Sequence, residues 1–158
     1  MELREHTEYG LQPVREYYRV RADINLDAVY QNIKEVRKQL LPGVKLAAVI
    51  KADAYGHGAV PVAKTVYEEA DWFAVSNIEE ALELRAAGVE KPVLTLGYTA
   101  SQQLMEAIRN DITLTLCDRE SAEEISEAAG RLGMTAKGHI KVDTGMNRIG
   151  TRPDEEGL

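Results

Sequence analysis

Lys51 lies where a short apolar run changes into a loop of small and polar residues. The run, KLAAVI at 45–50, predicts a buried strand, and the loop, ADAYGHG at 52–58, contains Tyr55 and His57. Partial desolvation at the end of a strand favours the neutral amine, the nucleophile that Schiff-base formation with an aldehyde requires. The loop precedes a predicted helix start, which suits a phosphate or another anion. We therefore expect a site for a carbonyl compound that also carries an anionic group.

A second unusual segment is the last predicted strand, in which ionisable and apolar residues alternate. His139, Lys141 and Asp143 share one face of this strand, and Arg148 follows it. Three ionisable groups inside a barrel are costly unless they pair or serve a site, and an arginine nearby can clamp a carboxylate.

Simpler interpretations exist for the same residues. A lysine at a strand end is often a surface residue that extends its amine into water. The glycines near Tyr55 can serve only a tight turn. The strand that carries His139, Lys141 and Asp143 can be a solvent-facing edge strand, and Arg148 an ordinary surface charge.

The elements that must position these residues alternate between strands and amphipathic helices. Strand starts recur every roughly 20 to 27 residues, a spacing typical of βα units with a parallel sheet. A doubly wound open sheet and a (β/α)8 barrel both fit this pattern, and both gather ligands at the carboxyl ends of the strands. Five strands are too few for a closed barrel, so the chain would be a portion of one. The predicted strands are 45–50, 72–75, 92–97, 112–117 and 136–143.

Some element boundaries can also be predicted. Ser76 and Glu79 form a candidate capping box for the helix that runs to Ala87, and Gly88 ends that helix. The segment 20–26 could form a separate strand.

Composition excludes several classes of function. The 158 residues carry a net charge of −7, which disfavours an electrostatic nucleic-acid binder. No apolar run approaches the ~20 residues that span a bilayer, and no secretory signal is visible. Cys117 is the single cysteine and the three histidines are far apart, so no metal site is expected. We expect a cytoplasmic protein without a membrane or nucleic-acid partner.

Three segments together resemble the alanine racemases. They are DINLDA at 23–28, VIKADAYGHG at 49–58 and HIKVDTGMNRIG at 139–150, in the order found in that family. The resemblance covers residues 19–151. It implies a pyridoxal 5'-phosphate enzyme on a (β/α)8 TIM barrel with an added β domain, and a homodimer with sites between subunits.

The resemblance also implies roles for individual residues. Lys51 would form the internal aldimine, Tyr55 would bind the cofactor phosphate, and Arg148 would lie near the cofactor's phenolic oxygen and the substrate carboxylate. Lys141 matches a lysine that is often carbamylated and would then orient Arg148. His139 and Asp143 would belong to the supporting shell.

The domain organisation expected from the resemblance has two parts. Residues 1–26 would precede the barrel, as a segment that could include a strand of the β domain. Residues 27–158 would form the N-terminal portion of the barrel, ending after its fifth strand. The second catalytic base, a tyrosine of the partner subunit in the family, has no match here, so we expect the chain alone to be inactive.

The expected reaction is interconversion of L-alanine and D-alanine for peptidoglycan. Two alternatives remain open. One is another enzyme of this barrel class, either a racemase of serine or a different amino acid or an amino-acid decarboxylase. The other is a non-catalytic pyridoxal-phosphate-binding protein.

Overall fold

Helices and short parallel strands alternate along the part of the chain that the computed structural model describes, residues 22–152. A 3₁₀ turn at Ser101–Gln103 precedes the fourth helix. The elements are α1 (Leu26–Gln39), β1 (Ala47–Val49), α2 (Ala59–Thr65), β2 (Trp72–Val75), α3 (Ile78–Ala86), β3 (Val93–Thr95), α4 (Leu104–Arg109), β4 (Ile112–Leu116), α5 (Arg119–Leu132) and β5 (Gly138–Ile140).

The order of the strands decides between the two architectures left open by the sequence. The five strands lie side by side in the order β1-β2-β3-β4-β5, and every neighbouring pair is parallel. A doubly wound sheet reverses its strand order at a switch point, whereas a (β/α)8 barrel adds each strand beside the previous one. The doubly wound alternative is therefore wrong, and the sheet is an open portion of a barrel.

One face of the sheet carries the hydrophobic core. Alternate strand residues on this face are almost fully buried against the helices, as in a barrel whose helices form an outer ring. The strand residues of this core are Phe73, Val75, Val93, Ile112 and Leu114, and helix residues that meet them include Val62, Ala63, Ala81, Leu84, Ala107 and Ile125.

The opposite face corresponds to the interior of the barrel. Ala47 pairs with Trp72 on this face, and Thr115 pairs with His139. The rings of Trp72 and His139 lie 5.3 Å apart between centroids, although their strands are three spacings apart, roughly 14 Å in a flat sheet. The sheet is therefore strongly curved, and the predicted inward face of the last strand is the concave one.

The helix that follows Lys51, α2, is shorter than the sequence pattern predicts. The pattern predicts a helix over 57–70, but α2 spans only Ala59–Thr65. Residues Lys51–Gly56 form a separate left-handed turn before it.

The predicted capping box of α3 is displaced by one residue. Asn77, not Ser76, is the N-cap, and its side chain accepts from the Glu80 N–H at 3.0 Å. Glu80, not Glu79, occupies the third helical position, and its carboxylate accepts from the Ser76 N–H at 2.7 Å.

The segment before the sheet differs from one expectation. The segment 20–26 is a candidate strand in the sequence, but its described residues 22–25 have no regular structure and Leu26 begins α1, with Asn25 as its N-cap. Residues 1–21 and 153–158 lie outside the described part of the chain, so most of the proposed N-terminal segment 1–26 and the end of the barrel portion 27–158 do too.

Candidate functional site

Lys51 is half-buried at the carboxyl end of β1. The preceding residue, Ile50, is buried in the helix-side core, and its N–H donates to the Ala74 carbonyl at 2.9 Å. This bond continues the pairing of β1 with β2 up to the residue before the lysine. Lys51 is thus held at the edge where parallel barrels bind ligands.

The chain adopts a left-handed conformation directly after Lys51. Four consecutive residues, Ala52 to Tyr55, have φ between 50° and 55°. A left-handed helical conformation costs L-residues roughly 1–2 kcal/mol each, because Cβ approaches the following carbonyl oxygen. Strain of this kind persists only where the surroundings determine the backbone strongly, and it gathers at functional sites.

The turn closes with hydrogen bonds of its own. The Ala54 N–H donates to the Ile50 carbonyl at 2.9 Å, and the Gly58 N–H donates to the Asp53 carbonyl at 2.9 Å. The buried Ala54 side chain anchors the turn in the core.

The left-handed turn brings Lys51 and Tyr55 together. The Lys51 Nζ lies 5.9 Å from the centre of the Tyr55 ring, and the Tyr55 side chain is 61% exposed. An amine and a phenol therefore stand side by side at the carboxyl end of the first strand.

The expected anion position at the start of α2 is occupied by the chain itself. The Asp53 carboxylate accepts from the Ala59 N–H at 2.6 Å, where a phosphate was predicted to lie. His57 is exposed, and its Nδ1 lies 3.2 Å from the Tyr55 carbonyl oxygen. The start of α2 is thus closed by a protein carboxylate, whereas the exposed Tyr55 of the same loop can offer its hydroxyl to an anion.

His139 and Lys141 follow the concave side of the sheet. The His139 ring packs on Trp72, and the Lys141 N–H donates to the Leu116 carbonyl at 2.9 Å, which extends the pairing of β5 with β4. Burial and then Asp118 raise the pKa of the Cys117 thiol, while the positive charge of Lys141 opposes them. The half-buried Lys141 therefore lies close to the carboxyl end of β4.

Asp143 organises the loop that carries Arg148. Its Oδ1 accepts from the Gly145 N–H at 2.9 Å and from the Asn147 N–H at 3.1 Å. These donors, in that order, hold the pKa of the Asp143 carboxyl below its usual range, and the Arg148 N–H adds to them. Asp143 thus acts on Arg148 through the loop backbone.

The same loop closes on itself beyond Arg148. The Thr151 N–H donates to the Lys141 carbonyl at 2.8 Å, and the Asp143 N–H donates to the Thr151 carbonyl at 2.8 Å. A Cβ at Gly150 would lie 2.9 Å from the Lys141 carbonyl oxygen, so only glycine fits there. Arg148 is exposed on this closed loop.

The predicted site residues near β1 and those near β5 do not contact one another through hydrogen bonds or ion pairs. Within residues 22–152 no hydrogen bond or ion pair joins Lys51 and Tyr55 to Lys141 and Arg148. They lie on the first and the fifth strand, at the same end of the curved sheet.

Two residues with a place in this site were missed at the sequence level. Asp53 caps α2, and Glu80 accepts from the Ala52 N–H at 2.9 Å. Asn77 and Glu80 have the spacing of a capping box, one residue beyond Ser76 and Glu79. The sequence therefore contains the pattern that identifies Glu80.

Two searches of the described residues were negative. No helix within 22–152 is long and apolar enough to cross a membrane. The same residues contain no group of three or more histidine, cysteine or acidic side chains that could hold a metal ion.

Comparison with known proteins adds to this geometry. The model of the family "Alanine racemase, N-terminal domain" matches residues 24–157. An alanine racemase of Desulforamulus reducens is 49% identical over 138 residues, which are 87% of this chain and 37% of that protein. Alanine racemase 2 of Caldanaerobacter subterraneus subsp. tengcongensis is 47% identical over 131 residues, 82% of this chain and 34% of that protein.

Solved structures agree with the fold. Alanine racemase of Clostridium difficile 630 in complex with cycloserine is 46% identical with a TM-score of 0.76, over 84% of this chain and 36% of that one. With the sequential strand order, this similarity confirms the predicted partial (β/α)8 barrel. The chain spans only 34% to 37% of the length of these three relatives.

Proposed function

The chain belongs to the alanine racemase N-terminal domain family, and from that membership we propose that it carries the cofactor lysine of a pyridoxal-phosphate-dependent racemase of alanine. The observation that carries the proposal is the pairing of Lys51 with Tyr55 at the carboxyl end of β1, 5.9 Å from amine to ring centre.

The residues at the carboxyl end of β1 have side chains whose chemistry fits pyridoxal phosphate. Lys51 supplies the amine that would bind the cofactor's aldehyde, and the exposed Tyr55 supplies a hydroxyl for its phosphate. Val49, two residues before Lys51, pairs with Ala74 on the same face of the sheet. Arg148 supplies an exposed guanidinium for the phenolic oxygen and for the substrate carboxylate.

The cofactor supplies an electron sink that makes the α-hydrogen of a bound amino acid acidic. The protein must then remove this proton on one face of the α-carbon and return it on the other. The Lys51 amine moves the proton on one face, and Arg148 orients the substrate through its carboxylate. A carbamate on Lys141 would give Arg148 an anionic partner, with His139 supporting the same strand.

The remaining parts of the reaction lie outside this chain. The acid-base group of the second face comes from the partner subunit of a homodimer, because the tyrosine that serves this face in the alanine racemases has no match in this sequence. The D-alanine formed supplies peptidoglycan synthesis in the cytoplasm. Choice of alanine over serine is a property of the whole site.

The test is to add pyridoxal phosphate to the 158-residue chain, reduce with borohydride and map the adduct by peptide mass spectrometry. We expect a visible absorption band and a label on Lys51, both lost in Lys51→Ala. Lys45→Ala, an exposed lysine before β1, is the matched control and keeps both. A folded chain without a Lys51 label would refute the proposal. In the whole protein, chiral chromatography with alanine and serine then identifies the substrate.

A further inference from the structure

A carboxylate from the neighbouring βα unit reaches the backbone directly after Lys51. Glu80 lies in the first turn of α3, beyond the end of β2. Its Oε1 accepts from the Ala52 N–H at 2.9 Å and its Oε2 accepts from the Ser76 N–H at 2.7 Å. One side chain therefore ties the start of the left-handed turn to the end of the adjacent strand.

The bond to Ala52 does more than cap a helix. Asn77 already caps α3, since its side chain accepts from the Glu80 N–H at 3.0 Å. The Glu80 carboxylate satisfies Ser76 with one oxygen, so the other oxygen is free for the first left-handed residue. A carboxylate is the side chain that can do this, because it accepts through both oxygens and donates through neither.

We propose that Glu80 is a positioning residue for Lys51, an inference that rests on the proposed function. By holding the Ala52 N–H, it stabilises the left-handed turn and thereby the approach of the Lys51 amine to Tyr55. Without it, a backbone donor loses its partner at the start of an already strained turn, and the turn relaxes toward extended backbone. Lys51 then binds the cofactor less often in the productive orientation.

The variants separate this role from helix capping. Glu80→Ala removes both hydrogen bonds, whereas Glu80→Gln keeps one acceptor and places an amide donor against a backbone N–H. Asn77→Ala is the matched control, because it removes the N-cap of the same helix and leaves the Glu80–Ala52 contact in place. Glu79→Gln, one residue away and bonded to Gln103, controls for the loss of a charge.

The first measurement needs no cofactor. Amide hydrogen exchange of the full chain, resolved at Ala52, should accelerate by about ten- to a hundredfold in Glu80→Ala, the factor for loss of a charge-assisted hydrogen bond. Glu80→Gln should be intermediate. Asn77→Ala and Glu79→Gln should exchange like wild type at Ala52, although Asn77→Ala lowers the melting temperature.

The second measurement is borohydride labelling of Lys51 at increasing pyridoxal phosphate concentration. We expect the half-saturating concentration to rise about tenfold or more in the Glu80 variants and to stay unchanged in both controls. If Glu80→Ala unfolds, judged by circular dichroism, Glu80→Gln decides alone. Wild-type exchange and labelling in a folded Glu80 variant would overturn the role of Glu80 only, whereas no label on Lys51 in wild type would refute the proposed function itself.

Discussion

At the scale of single residues, the backbone turn after Lys51 sets the distance between Lys51 and Tyr55. In an extended strand, residues four apart are separated by roughly 13 Å along the chain. Here the amine of one lies 5.9 Å from the ring of the other, because the residues between them form a helical turn, which in this chain is left-handed. The turn brings the two side chains together at the cost of a strained backbone.

The strain can be tested with two identical substitutions in opposite backbone contexts. Ala52→Gly removes the Cβ from a left-handed residue, so we expect unfolding free energy to rise by about 0.5–1 kcal/mol. Ala28→Gly in the exposed first turn of α1 should lower it by about 1 kcal/mol. Urea unfolding followed by circular dichroism measures both.

A destabilising Ala52→Gly of the same size as Ala28→Gly would show that residue 52 is not left-handed in solution. Gly56, with φ of +82°, offers a further check, since Gly56→Ala should destabilise the protein.

Successive βα units are joined to one another by cations at the amino-terminal end of the sheet. Arg85 of α3 donates to the carbonyl groups of Val89, Lys91, Asn110 and Asp111, which precede β3 and β4. The Lys91 ammonium donates to the carbonyl groups of Tyr67 and Ala70, which precede β2. These bonds satisfy carbonyl groups that the ends of helices leave free.

Arg37 and Asp71 make the corresponding connection at the first unit. Asp71 accepts from the Leu46 N–H at 2.7 Å and from the Arg37 guanidinium at 2.6 Å. Those two donors, the backbone first, hold the pKa of the Asp71 carboxyl below its ordinary value of 3.8. The ionised form is therefore favoured by folding.

This pKa shift predicts a pH dependence of stability. Because the folded pKa lies below the unfolded one, Asp71 contributes its full stabilisation above pH 3.8 and loses it as the pH falls through the folded pKa. Asp71→Asn should be less stable than wild type at pH 7, and the difference should shrink below about pH 4.

Urea unfolding between pH 3 and pH 7 checks this, with Glu35→Gln as the control. Glu35 forms an exposed pair with Lys38, which contributes little at any pH. A difference between wild type and Asp71→Asn that is constant across this range would contradict the linkage.

At the scale of the whole molecule, the described sheet is open and ends in two edge strands. Within residues 22–152, β1 and β5 each have a strand on one side only. Large apolar side chains are exposed near both edges, among them Val49, Ile140 and Val142. Unpaired strand edges with apolar side chains favour association with other chains.

We therefore expect the 158-residue chain to self-associate through β5 in sedimentation velocity. Ile140→Lys places a charge on that edge strand and should shift the distribution toward monomer. Leu41→Lys, at a more exposed apolar residue outside both edge strands, is the control and should change little. Equal effects of the two substitutions would show that association does not involve β5.

Most of the fold could be predicted from the sequence because hydrophobic periodicity is a local property. The alternation of apolar runs and amphipathic segments identifies all five strands, and 72–75 is predicted to the residue. The predicted strand ends and the resemblance to the alanine racemases likewise make candidates of Lys51, Tyr55, Lys141 and Arg148. The errors concern short segments whose conformation depends on contacts, such as 20–26 and the loop after Lys51.

Only the tertiary structure decided what the local patterns left open. The order of the strands excluded the doubly wound sheet, and curvature brought Trp72 onto His139. The left-handed turn and the reach of Glu80 to Ala52 could not be deduced from propensities, since alanine disfavours such a backbone and the contact joins residues 28 apart in sequence. Residue types determine which chemistry is available, but packing between distant segments determines which groups meet.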